Sequence, residues 1–262
     1  MEFKKEFELA QEVIKDAGEI MLAQIANSHK ISRKIDSSIV TQVDKTIERF
    51  IQKRLMSISS AYGFIGEEGK EIQKEIAWIV DPLDGTVAFT RQIPEFGIAI
   101  AFKKDQEIIF SVQYIPSTDR LLTAYNNKGA YCNEKKISIG QVQDLHDAIV
   151  SFGVRHLWQK AFQDYTLELV KNSRFRVGHS AVVESYYLAS GKTDIFLRFE
   201  QPIYDVAAEY LLMKEAGAII TNEYGKPLHL HFSKEAKHNV VATNPFINKN
   251  YKDQLYFKNL FK

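Results

Sequence analysis

Apolar residues recur at two periods along the chain, and the change of period divides it. From Phe3 they fall at Phe7, Ala10, Val13, Ile14, Ala17 and Met21. Spacings of three and four place these on one stripe of an amphipathic helix. A second helical pattern runs from about Val43 to Ile58 through Ile47, Phe50, Ile51 and Leu55. Ala77-Trp78-Ile79-Val80 is then a wholly apolar run ending in Asp-Pro, the pattern of a buried strand entering a turn. Phe96–Lys103 and Glu107–Tyr114 predict antiparallel strands joined around Lys104-Asp105. Leu121–Tyr125 and Ala130–Asn133 extend that sheet, with Asn126-Asn127-Lys128-Gly129 as the turn signal.

Beyond this point strands and helices alternate. Strands are predicted at Ala148–Gly153, Asp194–Phe199, Ala218–Thr221 and Val240–Thr243. Helices are predicted at about Gln159–Lys171, at Ala181–Ala189, at Val206–Ala216 and after Pro245. Alternation of this kind predicts a layered α/β unit. The chain therefore divides into an N-terminal α+β sub-domain, 1–145, and a C-terminal α/β sub-domain, 146–262. The aromatic residues Phe246, Tyr251, Tyr256, Phe257 and Phe261 predict a docked tail helix.

A length of 262 residues suits one large domain or two fused ones. Apolar residues make up 45% and charged residues 26%, which excludes a disordered, collagenous or coiled-coil protein. The 34 basic and 33 acidic side chains nearly cancel. The chain thus lacks the electrostatic footprint of a binder of duplex nucleic acid or anionic membrane, and any anion site must be local. Cys132 is the one cysteine and cannot form an intrachain disulfide. The N-terminus has no apolar signal region, and no apolar run approaches the roughly 20 residues that span a bilayer. The expectation is a soluble, reduced, cytoplasmic protein with a small-molecule partner, binding neither nucleic acid nor membrane.

The densest chemistry lies in Trp78-Ile79-Val80-Asp81-Pro82-Leu83-Asp84-Gly85-Thr86. A buried strand delivers two carboxylates to its end, Pro82 stiffens the turn, and Gly85 permits close approach of a ligand. Thr86 adds a hydroxyl, and a helix starting there would turn its free N–H groups toward a phosphate. Asp-x-x-Asp is weak by itself, since the 13 aspartates predict roughly 0.6 chance occurrences. The second occurrence, Asp144/Asp147, has no strand before it and reads as a solvated turn. Two further acidic features stand out. Glu67-Glu68 follows the apolar run Phe64-Ile65, and Asp205 stands at the start of a helix, where an N-cap is the plainer reading. His229 and His231 could share one face of a strand but have no evident third metal ligand.

Gly66-Glu67-Glu68, Asp81-Pro82-Leu83-Asp84-Gly85-Thr86 and Tyr204-Asp205-Val206-Ala207-Ala208, in that order, resemble the signature of the inositol monophosphatase family of magnesium-dependent, lithium-sensitive phosphatases. Ile39-Val40-Thr41-Gln42-Val43-Asp44, Gly129-Ala130-Tyr131-Cys132-Asn133 and Glu215-Ala216-Gly217-Ala218 extend the likeness over about 33–245. The resemblance implies an α/β fold, a layered α-β-α-β-α sandwich, in a homodimer. It implies two or three Mg2+ ions, most of their ligands coming from 1–145. Glu67, Asp81 and the Leu83 carbonyl would hold the first ion. Asp81, Asp84 and Asp205 would hold the second, and a third, weaker ion would draw on Glu67. Oxygen donors of this kind suit a hard cation. The cations are needed because clustered carboxylates alone would repel a dianionic ester. In this reading Glu67 and Thr86 orient the attacking water, and Asp44 accepts the Thr86 hydroxyl proton. Asp84, Gly85, Thr86, Gly178, Arg198 and Asp205 would meet the substrate.

The chain departs from the family pattern at Arg33, Ser38, Ala88 and Tyr204 without losing a metal ligand. Arg198 matters more. Inositol-specific members usually carry Glu there, accepting hydrogen bonds from ring hydroxyls, which Arg cannot do. Its planar fork suits a second phosphate, whereas an exposed strand-end residue is the alternative reading. The expected activity is hydrolysis of a small phosphate monoester. Two alternatives stay open: a bisphosphate phosphatase acting on fructose 1,6-bisphosphate, NADP or 3′-phosphoadenosine 5′-phosphate, and an inactive phosphate-ligand sensor.

Overall fold

A computed structural model describes residues 2–25, 31–33, 39–153 and 160–256, with the backbone alone at 31–33, 39–41 and 161. Helices α1 (Lys4–Gln24) and α2 (Gln42–Leu55) are separated by a ribbon of β1 (Ile31–Arg33) and β2 (Ile39–Thr41). Then come β3 (Gly63–Gly66), β4 (Ile76–Asp84), a short α3 (Thr86–Thr90), β5 (Gly97–Lys104) and β6 (Glu107–Ile115). β7 (Arg120–Tyr125), β8 (Gly129–Cys132) and β9 (Lys135–Ile137) complete a seven-stranded sheet ordered as in the chain. Only β3, parallel to β4, breaks its antiparallel pattern.

The rest of the chain alternates. It runs β10 (Ile149–Gly153), α4 (Lys160–Val170), β11 (Arg174–Gly178), α5 (Ala181–Ala189), β12 (Ile195–Pro202) and α6 (Ala207–Ala216). β13 (Ile219–Thr221), β14 (Lys237–Thr243), α7 (Pro245–Asn250) and α8 (Lys252–Leu255) follow. Its five strands pair in the order β11-β10-β12-β14-β13.

Period-two alternation stacks these elements into layers. In β4, Trp78 and Val80 face α1 and α2, packing with Val13, Ile14, Ile47 and Ile51. Ile79 faces the other way, onto Val182 and Tyr186 of α5 and Leu211 of α6. The far sides of α5 and α6 carry Leu188 and Met213, which pack on Phe196 and Val240 of the second sheet. That sheet's outer face, with Val150, Leu197 and Phe199, is covered by Phe162 and Leu169 of α4 and by Ile247 and Leu255. The order is helix, sheet, helix, sheet, helix, as the resemblance implied.

Local differences have local causes. β9 is too short to carry a period, and β11 turns Phe175 outward, 59% exposed at a sheet edge, so its alternation does not mark a buried face. The tail forms two short helices broken at Tyr251 (φ −126°) rather than one. Ser38, Phe257 and Phe261 lie outside the described residues.

The difference that matters is in β4. The sequence ends that strand at Val80, yet the ladder with β5 continues across Pro82. Asp81 pairs with Ala99 and Asp84 with Gly97, with an irregularity between. Three residues of β4 therefore oppose two of β5, a one-residue bulge, where a proline is tolerated. Side chains three apart in a regular strand point to opposite faces. Here the extra residue returns Asp84 to the face of Asp81. Gly85 follows with φ +86°, and a Cβ there would lie 2.6 Å from the Glu95 carbonyl oxygen. Gly85→Ala is expected to cost about 2 kcal/mol or more, read as a lowered denaturation midpoint. An unchanged midpoint would show that the turn relaxes.

Candidate active site

The shared face of Asp81 and Asp84 looks toward the starts of α5 and α6. Asp81, 3% exposed, accepts the Leu83 N–H at 3.1 Å. Asp84 accepts the Ser180 hydroxyl and, at 2.7 Å, the Val182 N–H. It thus ties the first sheet to the N-terminus of α5, where Ser180 itself caps Val183. α3 starts at Thr86, as its Gly-Thr turn suggested. The Thr86 hydroxyl lies 3.2 Å from an Asp44 carboxylate oxygen and 3.2 Å from the Leu83 carbonyl, both acceptors. Asp44 is buried in the first turn of α2. Glu67 and Glu68 follow β3, whose parallel pairing brings its end beside that of β4. Asp205 closes a 3-10 turn before α6, and Val206, with no side-chain cap bond, holds the N-cap position. The N-cap reading of Asp205 is therefore corrected.

Four chain segments thus bring carboxylates together. The Asp81 carboxyl is pushed well above its ordinary range, by burial first and then by the charges of Glu67, Asp205, Asp84 and Glu209. Burial also raises Asp84, against the bonds from Ser180, Val182 and Ala181 and the charge of Arg198. Asp44, Glu67 and Glu68 form the tightest group, with one ligand oxygen of each within 4.8 Å of the others. Buried, mutually repelling oxygen donors fit a hard divalent cation.

Three acidic residues escaped the sequence reading. Glu48 and Glu209 each stand one helical turn after a predicted residue, Asp44 and Asp205, and that i,i+4 spacing was the available signal. Glu184 is a lone charge in the apolar run Ala181–Ala189, which itself called for a buried partner. That partner is Arg198. Arg198 is 5% exposed, so the exposed strand-end reading is corrected. It pairs with Glu184 and donates to the Leu197 carbonyl at 3.2 Å. Burial pulls its pKa down to about 10, against the charges of Asp84 and Asp205. Arg176 adds a second cation to Glu184 at 3.4 Å and reaches Glu95 at 2.7 Å. Gly178 is buried, and the Glu184 carboxylate fills the space a Cβ would need.

The remaining candidates stay apart. His229 and His231 lie in a loop rather than a strand and join no group of three metal-ligating side chains among the described residues. Asp144 and Asp147 occupy an exposed turn. Burial raises the Cys132 thiol pKa, which disfavours a nucleophilic thiolate. No helix of the described residues is long and apolar enough to cross a membrane.

Comparison with known proteins agrees with this geometry. The inositol monophosphatase family profile matches residues 4–258. Inositol-1-monophosphatase of Rhizobium meliloti is 36% identical over 233 residues, 85% of each chain. Fructose-1,6-bisphosphatase/inositol-1-monophosphatase of Thermotoga maritima is 25% identical over 241 residues, 90% of each chain. Extragenic suppressor protein suhB from Bartonella henselae superimposes with a TM-score of 0.88 at 27% identity, covering 97% of this chain and 99% of that one. The chain belongs to the inositol monophosphatase family and is a phosphatase of the kind that hydrolyses phosphomonoesters.

The raised Asp81 pKa has a signed consequence. A carboxyl whose folded pKa lies above its unfolded value favours folding most below the unfolded value. That contribution is lost as pH rises through the folded one. The metal-free chain is therefore expected to lose thermal stability as pH rises above the ordinary carboxylate range, in part through Asp81. Asp81→Asn should flatten that profile in thermal melts. A variant that melts with the full wild-type slope would contradict the assignment.

Proposed function

We propose that the chain is a magnesium-dependent phosphomonoesterase that cleaves a small phosphate monoester of the inositol monophosphate type with an activated water. The observation that carries this reading is the convergence of Glu67, Asp84 and Asp205 on buried Asp81. Glu67, Asp81, the Leu83 carbonyl, Asp84 and Asp205 would hold two Mg2+ ions, with a third on Glu67. Bound there, the cations would neutralise the dianionic ester, stabilise the leaving alkoxide and lower the pKa of water. The chain's own groups do the rest. The Thr86 hydroxyl passes its own proton to the Asp44 carboxylate, 3.2 Å away, as it takes one from the water. Glu67 accepts from the same water and aims it in line with phosphorus. Gly85 lets the backbone approach the phosphate without a Cβ in the way. The proposal extends to a cytoplasmic homodimer in which 1–145 supplies most ligands and 146–262 closes the site with Asp205.

Arg198 favours a second reading of the substrate. It stands where inositol-specific members usually carry Glu, and its charge acts on Asp84 and Asp205. The bifunctional name of the Thermotoga maritima relative is in keeping with a broader substrate range. Fructose 1,6-bisphosphate, NADP and 3′-phosphoadenosine 5′-phosphate are the candidates, with Gly178 and Arg198 on the wall that meets the second phosphate. An inactive phosphate sensor is disfavoured because Asp44, Glu67, Asp81, Asp84, Thr86 and Asp205 are all present.

Phosphate release from inositol 1-phosphate and these bisphosphates, with and without Mg2+, tests the reading. Asp81→Asn and Glu67→Gln should lose more than about a hundredfold in turnover while staying folded. Folded Asp81→Asn with wild-type turnover would refute it.

The ion pair complicates a simple truncation of Arg198. Arg198→Ala leaves buried Glu184 with only the longer Arg176 contact, so about 3 kcal/mol of stability should be lost. The double change Arg198→Met/Glu184→Gln removes both charges and should recover most of it. If Arg198 meets a second phosphate, the double variant loses turnover on bisphosphates selectively. Equal loss on mono- and bisphosphates would exclude that role.

A further inference from the structure

The turn that carries Glu67 has little regular structure of its own. β3 ends at Gly66, and β4 begins at Ile76. A mutual backbone pair between Phe64 and Ile72 closes its base, and the backbone at its tip is held by two side chains from opposite directions. From α2, Glu48 accepts the N–H of Glu68 at 2.7 Å and also that of Gly69. A Cβ at Gly66 or Gly69 would lie 2.6 or 2.8 Å from the Glu48 carboxylate oxygens, so both glycines let the turn close on it. From the connection between β13 and β14, the Lys234 ammonium donates to the carbonyls of Glu67 at 2.6 Å and Gly69 at 3.0 Å. The N–H groups of the turn thus meet an anion and its carbonyls meet a cation. Lys234 is 167 residues from Glu67 in sequence.

The Lys234 connection is anchored in turn. The Gln73 amide donates to the Phe232 carbonyl at 2.7 Å, and the Lys234 N–H donates to the Glu71 carboxylate at 3.3 Å. Behind it, buried His238 of β14 accepts the His231 N–H at Nε2, 3.0 Å away, while its Nδ1 lies 3.2 Å from the Gln201 carbonyl. A proton on Nδ1 satisfies both contacts. Hydrogen bonds thus tie the second sheet to the 231–234 segment and that segment to the Glu67 carbonyl.

We propose that Lys234 is a positioning residue for Glu67: with Glu48 it clamps the Glu67–Gly69 backbone from both polarities and so sets the affinity of the site for a divalent cation. The inference rests on the metal-dependent phosphatase reading above. Removing Lys234 leaves two carbonyls without their cationic donor and frees the turn to rotate about its Glu48 anchor. Ordering that turn again must then be drawn from the free energy of cation binding. The clamp acts through the backbone of Glu67 rather than on the reacting groups, so metal affinity should suffer more than the chemical step.

The test uses the full chain, Lys234→Met, and Lys234→Arg, which keeps a cationic donor. Lys234→Gln serves as a second neutral variant should the Met variant fail to fold. Hydrogen exchange of the Glu68 and Gly69 amides is measured on metal-free protein, and Mg2+ affinity by titration calorimetry without substrate. Removing the cation should speed exchange of both amides and weaken Mg2+ binding about tenfold, and Lys234→Arg should recover both. The Mg2+ needed for half-maximal phosphate release should rise by the same factor, more than kcat at saturating Mg2+ falls. Wild-type exchange and Mg2+ affinity in a folded neutral variant, beside an active wild type, would overturn this inference alone. A wild-type chain that neither binds Mg2+ nor releases phosphate would overturn the phosphatase reading and the inference with it.

Discussion

Like charges held together inside a protein are the constraint around which this fold is arranged. Asp81 and Asp84 would face away from each other in a regular strand. One inserted residue at Pro82 puts them on one face, at the end of a buried strand, within electrostatic reach of Glu67 and Asp205. Burial and mutual repulsion make that arrangement unfavourable for the bare polypeptide. The surrounding structure holds it regardless. β4 is anchored by the Trp78, Phe102 and Phe110 cluster, and Asp84 is fastened to α5 by the Ser180 hydroxyl and the Val182 N–H. Strain of this kind at a functional centre is offset by packing elsewhere, and a bound cation would relieve it.

The layer between the sheets is where the pieces meet. α5 and α6 pack on both sheets, and their starts lie beside the end of β4. That explains why an ion-pair chain, from buried Arg198 and Glu184 to half-buried Arg176 and Glu95, runs next to the carboxylates. It joins β12, α5, β11 and the segment before β5 at the one place where a shift between sheets would displace Asp84 from Asp205. A buried pair is weak evidence for stability, but it is strict about geometry. The charges on this side of the carboxylate cluster are thus already committed to one another.

The Glu67 turn follows a different logic. It lacks a strand or helix of its own, and its glycines give it room without rigidity. Beyond the Phe64–Ile72 backbone pair at its base, its order comes from Glu48 and Lys234. A segment held by a few polar contacts opens more readily than one locked in a ladder.

The layer pattern was legible in the sequence because it depends on period. Stripes at three and four marked α1 and α2, and the run Ala77–Val80 marked the central strand, since local burial leaves a local record. The acidic segments of the candidate site were legible too, because Asp81, Asp84 and Thr86 are neighbours in one turn and carry a recognisable order with Glu67 and Asp205. Several things could not be read this way: the bulge that turns Asp84 onto the face of Asp81, the burial of Arg198 against Glu184, and the reach of Lys234 to Glu67. Each pairs groups that the chain separates or a register that only a partner strand defines. Hydrogen bonds and charges act through space, while sequence patterns record only the spacing along one chain.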